Sequence, residues 1–78
     1  MNEKIKEILS EFTNIPTEEM NDDTLLVNDL GLNSLDVVNV VVAFEDEFNI
    51  EIPDRVIPRF QTIDDIQMYI KSATRLES

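Results

Sequence analysis

Apolar residues recur at helical spacing in three segments of this chain, and this periodicity limits the possible folds more than any other feature. In the first segment they stand at positions i, i+3, i+4 and i+7: Ile5, Ile8, Leu9 and Phe12. The spacing predicts an amphipathic helix that begins near Asn2 and ends before Pro16. The last segment opens with a capping box, Thr62-x-x-Asp65, which predicts another amphipathic helix. Its apolar residues are Ile63, Ile66, Tyr69 and Ile70.

The middle segment, residues 34–49, gives conflicting signals. It contains five valines, which favour a strand by intrinsic propensity. Its polar residues, however, group on one side of a helical wheel: Asp36, Asn39, Asp46 and Glu47. A stripe of core residues also follows the helical spacing: Val37, Val41, Phe44 and Phe48. Since either Asn33 or Ser34 can cap its first turn, we predict a helix of about four turns.

The remaining segments predict the connections. Residues 15–33 lack a sustained period, so we expect a long loop with a short helical turn at 17–20. Its buried anchors would be leucines: Leu25, Leu26, Leu30 and Leu32. Pro58 stands too late for the first turn of a helix capped by Asp54, which predicts a short, distorted helix around 55–61.

Together these elements predict an all-α fold. The expected architecture is a small four-helix bundle, with three main helices plus a short third helix and a long loop between helices one and two. At 78 residues the chain has room for a single domain, 1–78. We expect a folded core over residues 1–72 and a frayed tail over 73–78.

Composition excludes several classes of activity. The chain has no cysteine and no histidine, so it can supply neither a thiolate nucleophile nor an imidazole base. A calcium-binding loop is excluded because Gly31 at its required sixth position would place Leu26 and Leu30 on ligand positions. We therefore expect no enzymatic activity and no metal site. Without a membrane-spanning or secretory segment, the chain is expected to be cytoplasmic.

Charge is distributed unevenly along the chain. The net charge is −11, and residues 7–54 contain 13 acidic residues and no basic one. Such a field repels nucleic acid and anionic membranes, so we expect neither as a partner. It favours basic surfaces on other proteins and, by self-repulsion, a monomer. The alternative is an acidic surface that serves only solubility.

Ser34 stands apart from the other three serines, because it follows a glycine-containing loop and opens a predicted helix. A phosphate ester at that position would face the positive end of the helix. A second apolar stripe continues from it along the same helix: Leu35, Val38 and Val42, followed by Glu45 and Asp46. An exposed stripe of this kind marks a partner site. The alternatives are a simple helix cap at Ser34 and a stripe that is buried between neighbouring helices.

Two runs of sequence carry a family resemblance: Asp29-Leu30-Gly31-Leu32-Asn33-Ser34-Leu35-Asp36, and Ala43 to Phe48 followed by Ile50-Glu51-Ile52-Pro53-Asp54. The chain resembles an acyl carrier protein from its first helix to Ile70. The resemblance implies that a separate phosphopantetheinyl transferase esterifies Ser34 with 4′-phosphopantetheine from coenzyme A. It also implies docking to acyl-transferring or synthase enzymes with basic surfaces. The predicted partner-binding residues are Leu35, Asp36, Val38, Asn39, Val42, Glu45 and Asp46.

The chain departs from the family pattern at several positions. Asn33 replaces the usual aspartate before the serine, and Arg55, Pro58 and Arg59 fall in a region that is usually acidic. These changes suggest a specialised partner set. The predicted function is the carriage of acyl thioesters for fatty-acid, polyketide or lipid-tailoring enzymes. An aminoacyl or peptidyl carrier and an unmodified acidic interaction module remain the alternatives.

Overall fold

The computed structural model describes residues 2–75, which form three α-helices and two 3₁₀ helices. The α-helices are α1 (Asn2–Ser10), α2 (Ser34–Phe48) and α3 (Ile63–Arg75). The first 3₁₀ helix, Thr17–Glu19, lies in the long loop after α1, and the second, Asp54–Arg59, joins α2 to α3. The predicted all-α bundle with a short third helix is confirmed. Within the described range no helix is long and apolar enough to cross a lipid bilayer.

Polar residues at both ends define α2. The Asn33 side chain accepts a hydrogen bond from the Asp36 N–H at 2.8 Å, and the Asp36 carboxylate accepts one from the Asn33 N–H at 3.3 Å. Asn33 is therefore the cap, and Ser34 is the first residue of the helix. At the other end Asn49 adopts the left-handed conformation (φ 55°) and its N–H bonds to the Glu45 carbonyl. This geometry satisfies a terminal carbonyl and ends the helix.

The long loop is tied to the segment that leads into α3. The Leu26 N–H donates to the Gln61 carbonyl at 2.9 Å, and the Ile63 N–H donates to the Thr24 carbonyl at 3.2 Å. An isolated antiparallel bridge joins the same two segments. Backbone groups that would otherwise be unpaired near the core are thereby satisfied, which holds this part of the loop in one place.

The predicted capping box opens α3. The Asp65 N–H donates to Thr62 Oγ1 at 3.2 Å, and Asp65 Oδ2 accepts from the Thr62 N–H at 3.0 Å. The helix then continues to Arg75, so residues 73–75 are helical where the sequence predicts a frayed tail. Its last turns are anchored by Ile70, which is completely buried. Residues 76–78 of the predicted tail lie outside the described range.

The core is built from one face of each α-helix and from the loop leucines. On α2 it contains Val37, Val40, Val41 and Phe44, while Phe48 is partly buried at its edge. Three of the four predicted loop anchors are buried as expected: Leu26, Leu30 and Leu32. Leu25 is an exception, because it is only half-buried and lies at the rim of a surface cleft. Its backbone forms the bridge with Thr62, and its side chain lines the cleft, whereas the side chain of the neighbouring Leu26 is buried in the core.

Candidate functional site

Ser34 lies at the N-terminal tip of α2 with its side chain exposed to solvent. Asn33 performs the capping that the sequence left open between these two residues, which releases the Ser34 hydroxyl from that role. No hydrogen bond within residues 2–75 uses this hydroxyl. A group attached to Ser34 Oγ would therefore leave the helix cap intact. It would also stand beside the first turn, where backbone N–H groups and the helix dipole favour negative charge.

An apolar cleft of about 510 Å³ opens beside Ser34. It is lined by Val37 and Val38 from α2 and by Ile57 and Pro58 from the second 3₁₀ helix. The other lining residues come from the loop and from the approach to α3: Leu25, Val27, Asn28, Phe60 and Gln61. The cleft thus joins an exposed hydroxyl to a space that suits an apolar group.

The predicted second stripe of α2 is exposed. Leu35, Val38 and Val42 have 68%, 42% and 55% of their surface open to solvent, so the alternative of a buried stripe is wrong. Val27, in the loop, is 58% exposed and lines the same cleft. Singly exposed apolar residues are common, but an aligned row of them beside a cleft is typical of a partner site.

The polar residues predicted to bind partners differ in their surroundings. Asn39 and Asp46 are exposed on α2. Asp36 is half-buried and takes part in the helix cap. Glu45 is also half-buried, and its Oε2 accepts a hydrogen bond from the Ile52 N–H at 2.8 Å. Glu45 therefore helps to fix the segment that follows α2. Its position beside Asp46, at the end of the apolar stripe, did not suggest this role.

Several residues of the cleft were not among those singled out from the sequence. Val27 and Asn28 lie in the loop, and Ile57, Phe60 and Gln61 lie far along the chain. Their proximity to Ser34 depends on how the loop folds back towards α3, which local periodicity does not encode. One signal was available, since Val27 is an apolar residue among the turn residues of the loop.

Comparison with known proteins agrees with this geometry. Residues 3–70 match the family described as "Phosphopantetheine attachment site". The acyl carrier protein of Wolinella succinogenes is 44% identical over 68 residues, which cover 87% of this chain and 90% of that protein. The acyl carrier protein of Clostridium acetobutylicum is 36% identical over 72 residues, covering 92% and 94% respectively. A solved acyl carrier protein from Enterococcus faecalis superposes with a TM-score of 0.81 at 29% identity, covering 92% of this chain and 91% of that one.

An exposed serine at a helix tip beside an apolar cleft, on a small helical bundle, is typical of a carrier protein. With these matches, the chain belongs to the acyl carrier protein family. Carriers of this family hold acyl groups as thioesters on covalently attached 4′-phosphopantetheine and work with synthases and transferases. The relatives favour acyl carriage over the aminoacyl carrier and the unmodified module that the sequence left open.

Proposed function

We propose that Ser34 Oγ is the attachment point of 4′-phosphopantetheine, and that this chain carries acyl thioesters between enzymes. The observation that carries the proposal is the exposed Ser34 hydroxyl, which is free of the helix cap and borders an apolar cleft. The residues present fit the group, because a phosphodiester at Ser34 would meet the positive end of α2. When bound, the group supplies the thiol that a chain without cysteine lacks.

The residues around Ser34 then have distinct roles. Asn33 and Asp36 fix the first turn of α2 through their reciprocal hydrogen bonds and so hold Ser34 at the tip. Val37, Val38 and Ile57 provide apolar walls that can shield the hydrocarbon part of a cargo from water. No acid or base of this chain is needed to break or form the thioester, since the visiting enzymes perform that chemistry.

We also propose that α2 is the surface that these enzymes contact. Leu35, Val38 and Val42 would meet apolar residues, and Asp46 would meet a basic one. Asn39 would lie in the same interface, whereas Asp36 and Glu45 would contribute charge while holding the local fold. Interfaces that are small and steered by charge dissociate readily, as a shuttle requires. We expect a monomer, because a net charge of −11 opposes self-association, and we expect this carrier to work in the cytoplasm.

Intact-mass analysis tests the attachment point. The purified chain is incubated with coenzyme A and a phosphopantetheinyl transferase of broad specificity. We expect a mass gain of one phosphopantetheine in the parent chain and in Ser72→Ala, the matched control on the exposed surface of α3. Ser34→Ala should gain nothing. A modified Ser34→Ala variant, or an unmodified parent where a known carrier is loaded, would overturn the proposal.

Charge reversal tests the docking surface. Asp46→Lys should slow modification several-fold, because it places a positive charge where a basic partner surface approaches. Asp23→Lys is the matched control, since Asp23 is also exposed but lies in the loop, away from the lining of the cleft. Both variants should keep the parent circular dichroism spectrum. Equal modification rates for the two variants would place the docking surface elsewhere.

A further inference from the structure

We propose that Val27 is a further docking residue of this carrier, and that it receives an apolar side chain flanked by lysine or arginine on the enzyme that reaches Ser34. Val27 lies in the long loop, 58% of its surface is open to solvent, and it lines the cleft beside Ser34. The partner surface would then extend from α2 to the loop. The inference rests on the proposed function, because it concerns the enzymes that dock at α2.

Two of the exposed apolar residues border the same cleft as Ser34. Five large apolar side chains stay exposed within residues 3–74: Val27, Leu35, Val38, Val42 and Met68. Val27 and Val38 both line the cleft, so the exposed row of α2 has a neighbour in the loop. An enzyme surface that covers Ser34 therefore comes close to Val27 as well. Removing both valines from water is more favourable than burying Val38 alone.

The backbone around Val27 is held in place by local hydrogen bonds. The Val27 carbonyl accepts the Gly31 N–H at 3.0 Å, and the Leu25 carbonyl accepts the Asp29 N–H at 3.0 Å. The Asp29 carboxylate in turn accepts the Leu25 N–H at 2.8 Å. The side chain of Leu26, directly before Val27, is buried in the core. Val27 is thus presented by an ordered segment, so little conformational entropy is lost when a partner covers it.

Charge indicates the kind of surface that covers Val27. Asp23 and Asp29 are exposed in the same loop. Residues 7–54, which supply both the loop and α2, contain 13 acidic residues and no basic one. A basic surface on an enzyme is therefore attracted to both segments. Because Arg55 and Arg59 belong to the second 3₁₀ helix, they favour an approach of that surface over α2 and the loop.

Steady-state kinetics of phosphopantetheinyl transfer test the proposal. The transferase acts before any acyl group is attached, so an effect of Val27 on this step cannot come from shielding a cargo. Val27→Ser should raise the KM for the chain about three- to tenfold, the loss expected when a valine that becomes partly buried is replaced, and leave kcat within about twofold. Val27→Leu, which keeps the apolar surface, should have a KM close to that of the parent. Met68→Ser is the matched control, since Met68 is 63% exposed and lies outside the lining of the cleft.

Amide chemical-shift mapping separates docking from modification. Ser34→Ala is titrated with the same transferase without coenzyme A, so that no group can be transferred. We expect amides of α2 and of residues 25–29 to shift together. Val27→Ser in this background should weaken the binding by the same factor by which it raises KM.

Four results would overturn the proposal. Val27→Ser would keep the parent KM, or Met68→Ser would raise KM as much as Val27→Ser does. In the mapping, amides of α2 would shift while those of residues 25–29 did not. Alternatively, the loop amides would shift with the concentration of the chain alone, which would make Val27 a contact with a second copy. A parent chain that is never modified overturns the proposed function instead, and the mapping on Ser34→Ala still reports on Val27.

Discussion

Glu45 links the end of α2 to the segment that follows it, and its removal gives the sharpest test of how the bundle is held together. Its Oε2 accepts the Ile52 N–H at 2.8 Å, and Ile52 itself is buried. Glu45→Ala deletes this charged acceptor and leaves the Ile52 N–H without its partner. Asp46→Ala is the matched control, because it removes the same charge from the next residue of the helix. Asp46 is exposed, and no hydrogen bond within the described chain uses its carboxylate.

The expected cost follows from the kind of hydrogen bond that is lost. A bond to a charged group contributes about 1.5–3 kcal/mol to stability. Since Glu45 is only half-buried, water can replace part of that bond, and we expect a loss of about 1–2 kcal/mol for Glu45→Ala. For a domain of this size the thermal midpoint changes by about 4–8 °C per kcal/mol, so it should fall by about 4–16 °C. Asp46→Ala should be neutral or slightly stabilising, because it relieves repulsion among the acidic residues.

Two measurements check this prediction. Urea denaturation followed by circular dichroism gives the free energy of unfolding of each variant. Amide hydrogen exchange gives the local effect, and the Ile52 N–H should exchange faster in Glu45→Ala than in the parent. If the two variants are equally stable and Ile52 exchanges at the parent rate, then the hydrogen bond from Glu45 does not stabilise the fold. In that case Glu45 belongs with Asp46 as a residue of the docking surface alone.

Three further predictions concern stability, each measured by thermal denaturation. Gly31→Ala should lower the free energy of unfolding by about 1 kcal/mol, because Gly31 has a positive φ of 73°. The cost comes from the backbone alone, since no atom lies within 4 Å of the added Cβ, and an unchanged midpoint would contradict this. Asn49→Gly should stabilise by a few tenths of a kcal/mol, since Asn49 occupies the left-handed position that ends α2, and a lower midpoint would refute it. Added salt should raise the midpoint by screening a net charge of −11, and a midpoint indifferent to salt would show that self-repulsion is negligible.

Local patterns were sufficient to predict most of the helices. In α2 the valines favour a strand, yet the grouping of polar residues on one side correctly indicates a helix. The capping box of Thr62 and Asp65 marks the start of α3, and Pro58 correctly indicates a short, distorted helix. These signals succeed because each depends on residues within one or two turns of one another.

Contacts between residues that are far apart in the chain could not be predicted from local sequence patterns. The hydrogen bond between Glu45 and Ile52 depends on how the chain turns after α2, which local patterns do not specify. From its position next to the exposed apolar stripe, Glu45 was therefore expected only to dock partners. Leu25 was expected in the core, but its side chain lines the cleft while that of Leu26 is buried. Likewise Ser34 could be singled out by its position before a helix, whereas the cleft beside it needs Ile57 and Phe60. Such features are set by tertiary packing, which periodicity does not specify.

The hydrogen bonds between the long loop and the start of α3 affect how the cleft can accommodate acyl chains of different sizes. On that side of the cleft, Leu25 and Gln61 belong to segments that share backbone hydrogen bonds, so widening the space there would break several of them. The cleft is also lined by Ile57 and Pro58 of the 3₁₀ helix Asp54–Arg59. A 3₁₀ helix is in general less stable than an α-helix, and Pro58 lacks an N–H to donate. We therefore expect a bulky acyl chain to be accommodated by outward displacement of this short helix. The cleft is thus expected to widen on the side of the short helix, while the loop and the start of α3 keep their positions whichever acyl chain is bound.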